Sequence, residues 1–199
     1  MPDHFEVTWD YLCPFARNAH EHLVAAISSG ATWTARFRFF SLAQAHLDEG
    51  KSVWEDPLSH SGVLAGLAGI VVREQYPERF PQAHIALFTA RHDESKDLRD
   101  SDVVIAALGS VGLDGATIVK EALSDWAIEM GRRDHDESVQ QWEVFGVPTF
   151  IADDKAVFVR LMTRPEGDGE LARRTVQGVL DLFDNFPELN EYKFTQITR

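Results

Sequence analysis

The 199-residue chain predicts an α/β fold carrying a large all-helical insertion, and three patterns support that prediction. Two runs of alternating apolar residues near the N-terminus are separated by one helix-like run. A long middle stretch repeats its apolar residues at helical spacing. Two short strand-like runs and a closing helix follow. The order is βαβ, inserted helices, ββα, which divides the chain into a discontinuous unit at 1–40 and 143–199 and a helical subdomain at 41–142.

In His4-Phe5-Glu6-Val7-Thr8-Trp9, Phe5, Val7 and Trp9 recur at every second position, the period of a half-buried strand. A helix is expected from Phe15 to Ser28, broken at Gly30. Trp33, Ala35, Phe37 and Phe39 then alternate on one face of a second strand. The short helix between these strands predicts a parallel pair with a right-handed crossover. From Asp56 to Trp142, Val63, Leu64, Leu67, Ile70 and Val71 form one helical stripe, and Phe80, His84, Leu87 and Phe88 form another. A helix over Val103–Val111 is predicted to end at a Gly112 cap, and the next to begin at Asp114 with Ile118, Val119, Ala122, Leu123 and Trp126 in one stripe. Asp153-Asp154-Lys155 separates the runs 149–152 and 156–161 as a hairpin turn. The final helix starts near Asp168, buries Leu171, Val176, Val179, Leu180 and Phe183, and stops at Pro187.

The 44% hydrophobic content is that of a soluble globular chain. With 19 Lys plus Arg against 32 Asp plus Glu, the formal charge of −13 opposes binding to nucleic acid or to an anionic membrane. No apolar run reaches the roughly eighteen residues of a membrane span, and the Met1–His4 start lacks a basic region or an apolar signal core. The expectation is cytoplasmic residence.

Cys13 is the only cysteine, so an intramolecular disulfide is excluded and any disulfide is mixed or intermolecular. It stands where the first strand gives way to a helix, and Pro14 suits the first helical position because its missing N–H would find no partner there. A thiol at a helix N-terminus faces free N–H groups and the positive end of the macrodipole. Its pKa is therefore expected to fall below that of a free cysteine. The alternative is a small buried hydrophobe.

Cys13-Pro14 after the first strand, together with Gly146-Val147-Pro148-Thr149-Phe150 before the hairpin, resembles the DsbA-like branch of the thioredoxin superfamily. That branch includes FrnE-like oxidoreductases and 2-hydroxychromene-2-carboxylate isomerase-like proteins. The resemblance spans nearly the whole chain and implies a thioredoxin-like fold. It also implies that Pro148 is cis and lies beside Cys13, with the Val147 backbone placed to pair with an extended substrate or a thiol tripeptide. Dithiol members carry a second cysteine where this chain has Ala16, so Cys13-Pro14-Phe15-Ala16 is a monothiol variant.

Several other residues are read structurally. Arg17 is taken as a solvated helix residue, with a cation beside a thiolate as the second reading. His20, about 10 Å along the helix from Cys13, makes no dyad with it, and His20 and His22 point to different faces. His135, between Asp134 and Asp136, belongs to a polar face, and His84 is a hydrogen-bonded core or boundary histidine. No metal is assigned. Trp9, Phe15 and Trp142 are candidates to line an apolar pocket at the thiol, and Phe15 is the strongest of them. No nucleotide fingerprint is present.

The expected activity is thiol–disulfide exchange, with Cys13 as catalytic nucleophile and Pro14, Phe15, Val147, Pro148 and Thr149 as substrate-binding residues. No cofactor is expected to be tightly bound. Glutathione or mycothiol would serve as resolving co-substrate, and the partner would be a disulfide-containing protein or a small thiol or disulfide. The resemblance admits a homodimer. The rival expectations are thiol-dependent transfer or isomerisation of the hydroxychromene type, in which a bound thiol is the nucleophile, and a binding or chaperone module without redox turnover.

Overall fold

The computed structural model describes residues 4–186, 188–191, 193 and 194; Pro187, the expected stop of the last helix, lies outside them, as does the side chain of Phe183. Four strands, β1 (His4–Trp9), β2 (Thr34–Phe39), β3 (Thr149–Ala152) and β4 (Lys155–Phe158), form one mixed sheet in the order β2-β1-β3-β4. β1 and β2 run parallel in register from His4 opposite Thr34 to Trp9 opposite Phe39, whereas β3 is antiparallel to both β1 and β4. As a central strand, β1 is covered on both faces at its C-terminal end. Thr8, which an alternating pattern would leave exposed, is buried beside Val7 and Trp9.

Helix α1 (Pro14–Ser28) joins the parallel strands and packs against the closing helix α8 (Gly169–Asn185), which Asp168 caps through its side chain. Between β2 and β3 lie α2 (Leu42–Ala45), α3 (Val63–Gln75), α4 (Phe80–His92), α5 (Ser101–Gly109), α6 (Gly115–Ala122) and α7 (Asp125–Trp142). The architecture is a thioredoxin-like sheet with a helical insertion. Three local expectations are corrected. Helix α5 ends three residues before Gly112, which takes its left-handed conformation in the following turn. Helix α6 ends before Leu123, which is exposed, so the stripe running to Trp126 crosses into α7. β4 stops at Phe158, releasing residues 159–161 from the sheet.

Buried charge ties the insertion to β2. Asp134 of α7 accepts hydrogen bonds from Arg73 Nη1 of α3 at 2.7 Å and from the Phe39 backbone N–H at 3.2 Å, while the same Arg73 nitrogen donates to Phe37 O at 2.8 Å. Asp134 and His135 are therefore inside the molecule, not on the polar face their charge suggested. Gly66 of α3 brings that helix against the Phe39 ring: a Cβ there would come within 2.2 Å of the ring. We predict that Asp134→Ala, which leaves the Phe39 N–H without its acceptor and Arg73 with only Phe37 O and Glu74, destabilises the fold by about 1–3 kcal/mol, measured as a lowered urea midpoint.

Candidate active site

Cys13 is the N-cap of α1, and its extended backbone lets Sγ accept the Ala16 N–H at 3.4 Å. On its other side, the thiol donates to Val147 O at 3.2 Å, across 134 residues of sequence. The Val147–Pro148 peptide is cis. Thr149, buried, donates from Oγ1 to Gly146 O at 2.8 Å and from its backbone N–H to Thr8 Oγ1 at 2.8 Å. These bonds close the turn that presents Val147. Pro14 is exposed, Phe15 partly so, and Pro148 is buried next to Val147. The structure thus joins Cys13 to the 146–149 turn.

The expected depression of the Cys13 pKa is overturned. Burial raises it above the ordinary cysteine value, because removing the sulfur from water penalises the thiolate more than the Ala16 and Phe15 N–H groups favour it, and Asp10 adds to the rise. The thiol's donation to Val147 O further favours the protonated form. Helix-terminal placement is a local property, whereas burial depends on everything packed around the turn.

Sequence reasoning read His84 as a hydrogen-bonded core or boundary histidine and missed its connection to His20 and Tyr11. Thr8 O can only accept, so His20 Nε2 carries the proton of their 3.0 Å bond. His20 is kept neutral by burial, its pKa lowered to about 4, so its Nδ1 is a bare acceptor. That atom receives His84 Nε2–H at 2.9 Å, and His84 Nδ1 in turn receives the Tyr11 hydroxyl at 2.8 Å. Each tautomer follows from the one before. The chain ends in a backbone carbonyl with no exit for a proton, so it fixes positions and does not relay.

Tyr11 is held a second time by His92 Nε2, which bonds to its carbonyl at 2.9 Å. Asp10 holds both ends of the turn, accepting Leu12 N at 2.8 Å and Leu42 N at 2.7 Å through its carboxylate and Cys13 N at 3.1 Å through its carbonyl. Its burial lifts its pKa to about 6. Arg17 is neither solvated nor turned to the sulfur. Buried, it donates to Glu21 at 2.9 Å and Asp93 at 2.5 Å, and Arg164 closes the network on Glu21 at 2.6 Å. Asp93 is held below its usual range chiefly by Arg17.

Of the aromatic candidates, only Phe15 borders the thiol. Trp9 is fully buried in the core, and Trp142 lines a cavity of about 390 Å³ at the opposite end of β1, beside His4 and Phe5. A cavity of about 530 Å³ between α1, α4 and α5 also lies away from Cys13. Among the described residues no cluster of His, Cys, Asp and Glu is arranged to hold a metal, and no helix is long and apolar enough to cross a membrane.

Residues 6–163 match the DSBA-like thioredoxin domain. Three solved structures share the fold. The cytosolic disulfide reductase DsbM from Pseudomonas aeruginosa with GSH is 14% identical over 90% of this chain and 100% of its own, with a TM-score of 0.62. A 2-hydroxychromene-2-carboxylate isomerase is 16% identical over 94% and 100%, also at 0.62. A thioredoxin-like oxidoreductase from Silicibacter pomeroyi DSS-3 is 17% identical over 89% and 84%, at 0.59. The comparison with curated proteins finds no match.

Two measurements check these electrostatics. Titration of thiolate ultraviolet absorbance, with Cys13→Ser as blank, is expected to give a midpoint above the ordinary cysteine range. The second concerns stability in acid. Histidines 20, 22, 84, 92 and 135 all have folded pKa values below the usual 6.5, so their contribution is complete above pH 6.5 and is lost as pH falls. Asp10, raised, acts in the opposite direction as pH rises from 3.8 to about 6. Five groups outweigh one. The melting temperature should drop between pH 6.5 and 4, and less steeply in His20→Gln.

Proposed function

Because the chain belongs to the DsbA-like thioredoxin domain family, we propose that it is a cytoplasmic monothiol oxidoreductase, with Cys13 as nucleophile and a low-molecular-weight thiol, glutathione or mycothiol, as resolving agent. The observation that carries this reading is the contact of Cys13 Sγ with Val147 O at 3.2 Å. The only cysteine in the chain lies against a backbone carbonyl that can serve an extended substrate.

The resting thiol is protonated, so activation depends on substrate. A substrate main-chain N–H that takes Val147 O removes the thiol's acceptor, while the Ala16 and Phe15 N–H groups stay on the sulfur. The balance then moves towards thiolate. Cys13 thiolate attacks a disulfide R–S–S–R′, forming Cys13–S–S–R and releasing R′S⁻, which takes up a proton. An external thiolate XS⁻ next attacks the R sulfur, forming R–S–S–X and regenerating Cys13. One disulfide is consumed and one formed, so the cycle needs no further oxidant. Pro14 and Phe15 border the sulfur, Pro148 continues the edge begun by Val147, and Thr149 holds that edge in place.

A second reading draws on the raised pKa. A protonated Cys13 is suited to donate a hydrogen bond, and in thiol-dependent isomerisation or transfer the bound thiol would be the nucleophile. Replacing Cys13 by Ser separates the two. With a fluorogenic glutathione mixed disulfide as substrate, exchange is expected to be abolished in Cys13→Ser. Substantial retention would discard the nucleophilic role and favour the bound-thiol chemistry. A wild-type protein that binds the disulfide without turnover would instead be a binding module.

A further inference from the structure

In so acidic a chain, guanidinium groups generally find carboxylates. Arg17, Arg36, Arg38, Arg73, Arg99, Arg132, Arg164 and Arg173 each pair with Asp or Glu. Arg160 is among the few that do not, and it is held by rings instead: among the described residues it donates no hydrogen bond and makes no ion pair. Its guanidinium carbon lies 5.5 Å from the ring centroid of Phe15 and 5.9 Å from that of Phe158, within cation–π range of both. Phe158 is flanked in turn by Phe145 at 5.2 Å. The rings leave the N–H edges of an exposed guanidinium without an internal acceptor.

This group is at the rim of the thiol site. Phe15 is two residues from Cys13, and Val159, the neighbour of Arg160, donates its N–H to Pro148 O at 3.1 Å. Arg160 therefore meets the start of α1 through Phe15, while its chain neighbour Val159 is bonded to the turn after Val147. Its field reaches Glu191, a carboxylate bonded to Lys193, without a hydrogen bond between them. A tripeptide spans roughly 10 Å when extended, long enough for its sulfur to face Cys13 while a terminal carboxylate lies further along the rim.

We propose that Arg160, clamped between Phe15 and Phe158, anchors a carboxylate of the thiol co-substrate. The site thereby selects carboxylate-bearing thiols of the glutathione type over neutral thiols, mycothiol among them, whose sugar and inositol groups carry no carboxylate. The inference rests on the monothiol reading above and adds a specificity residue to it. Exposure limits the expected effect to about fivefold, the upper end for a solvent-accessible ion pair, with ring contacts and the planar fork reducing the ordering cost.

The test is a double-mutant cycle in rate. A mixed disulfide is formed on Cys13 of the full chain and resolved by glutathione or by glutathione diethyl ester, in wild type, Arg160→Gln and Arg160→Lys. The wild-type ratio of the two rate constants is expected to be about fivefold larger than the Arg160→Gln ratio, with Arg160→Lys between them. An unchanged ratio in Arg160→Gln overturns the proposal. A second arm requires no redox chemistry: S-methylglutathione is titrated calorimetrically into Cys13→Ser and into Cys13→Ser/Arg160→Gln. Weaker binding in the double variant supports the anchor, and equal binding overturns it. If neither thiol resolves the mixed disulfide, the monothiol reading fails and the binding arm alone decides the anchor.

Discussion

The four-residue turn Asp10–Cys13 is the constraint on which the rest of the site depends, and its rigidity comes from outside the strand and helix it connects. Two histidines of α4 hold Tyr11, one at its hydroxyl and one at its carbonyl. Asp10 holds the turn to the start of the insertion at Leu42. Each bond is an ordinary hydrogen bond of about 1 kcal/mol net. Their combined effect is positional: Cys13 has little freedom at the head of α1, so the sulfur meets both Ala16 N–H and Val147 O. The insertion thereby acts as scaffold for a thiol to which it contributes no reacting atom.

Charge is organised around the same point. The chain is strongly acidic, yet the surroundings of α1's first turns hold Arg17 and Arg164, both neutralised by Glu21 and Asp93. That network stiffens the segment after β4 against α1, where Asn18 Nδ2 also donates to Leu161 O at 2.8 Å. Arg160 leaves this segment at its start, so the carboxylate pairs that immobilise its neighbours also set the direction of a guanidinium they do not engage.

Sequence patterns carried the fold well where the information was local. Strand alternation located β1 and β2, Pro14 marked the first turn of α1, and Asp114 and Asp168 marked helix starts by their side-chain caps. The approach of Val147 to Cys13 was legible only through family resemblance, since no local pattern spans 134 residues. His84 was recognisable as a core histidine, but its partners were not, because they depend on how α4 docks against α1 and β1. Arg17 and Asp134 misled for a related reason. Charge predicts exposure on average, and each is buried beside a counter-charge supplied by another helix. The thiol's pKa failed as a local prediction because burial, not the helix end, sets its sign.

The contact between Cys13 and Val147 also has a consequence for the order in which the molecule is made. Ribosomes add about 5–20 residues per second, so roughly 7–27 s separate synthesis of the two residues. Throughout that interval the sulfur lacks the carbonyl that later receives its proton. A nascent chain thus carries an unsheltered cysteine, open to the cell's oxidants and thiols, and concealment comes only when nearly three quarters of the protein exists. The chemical history of this thiol begins before its site does.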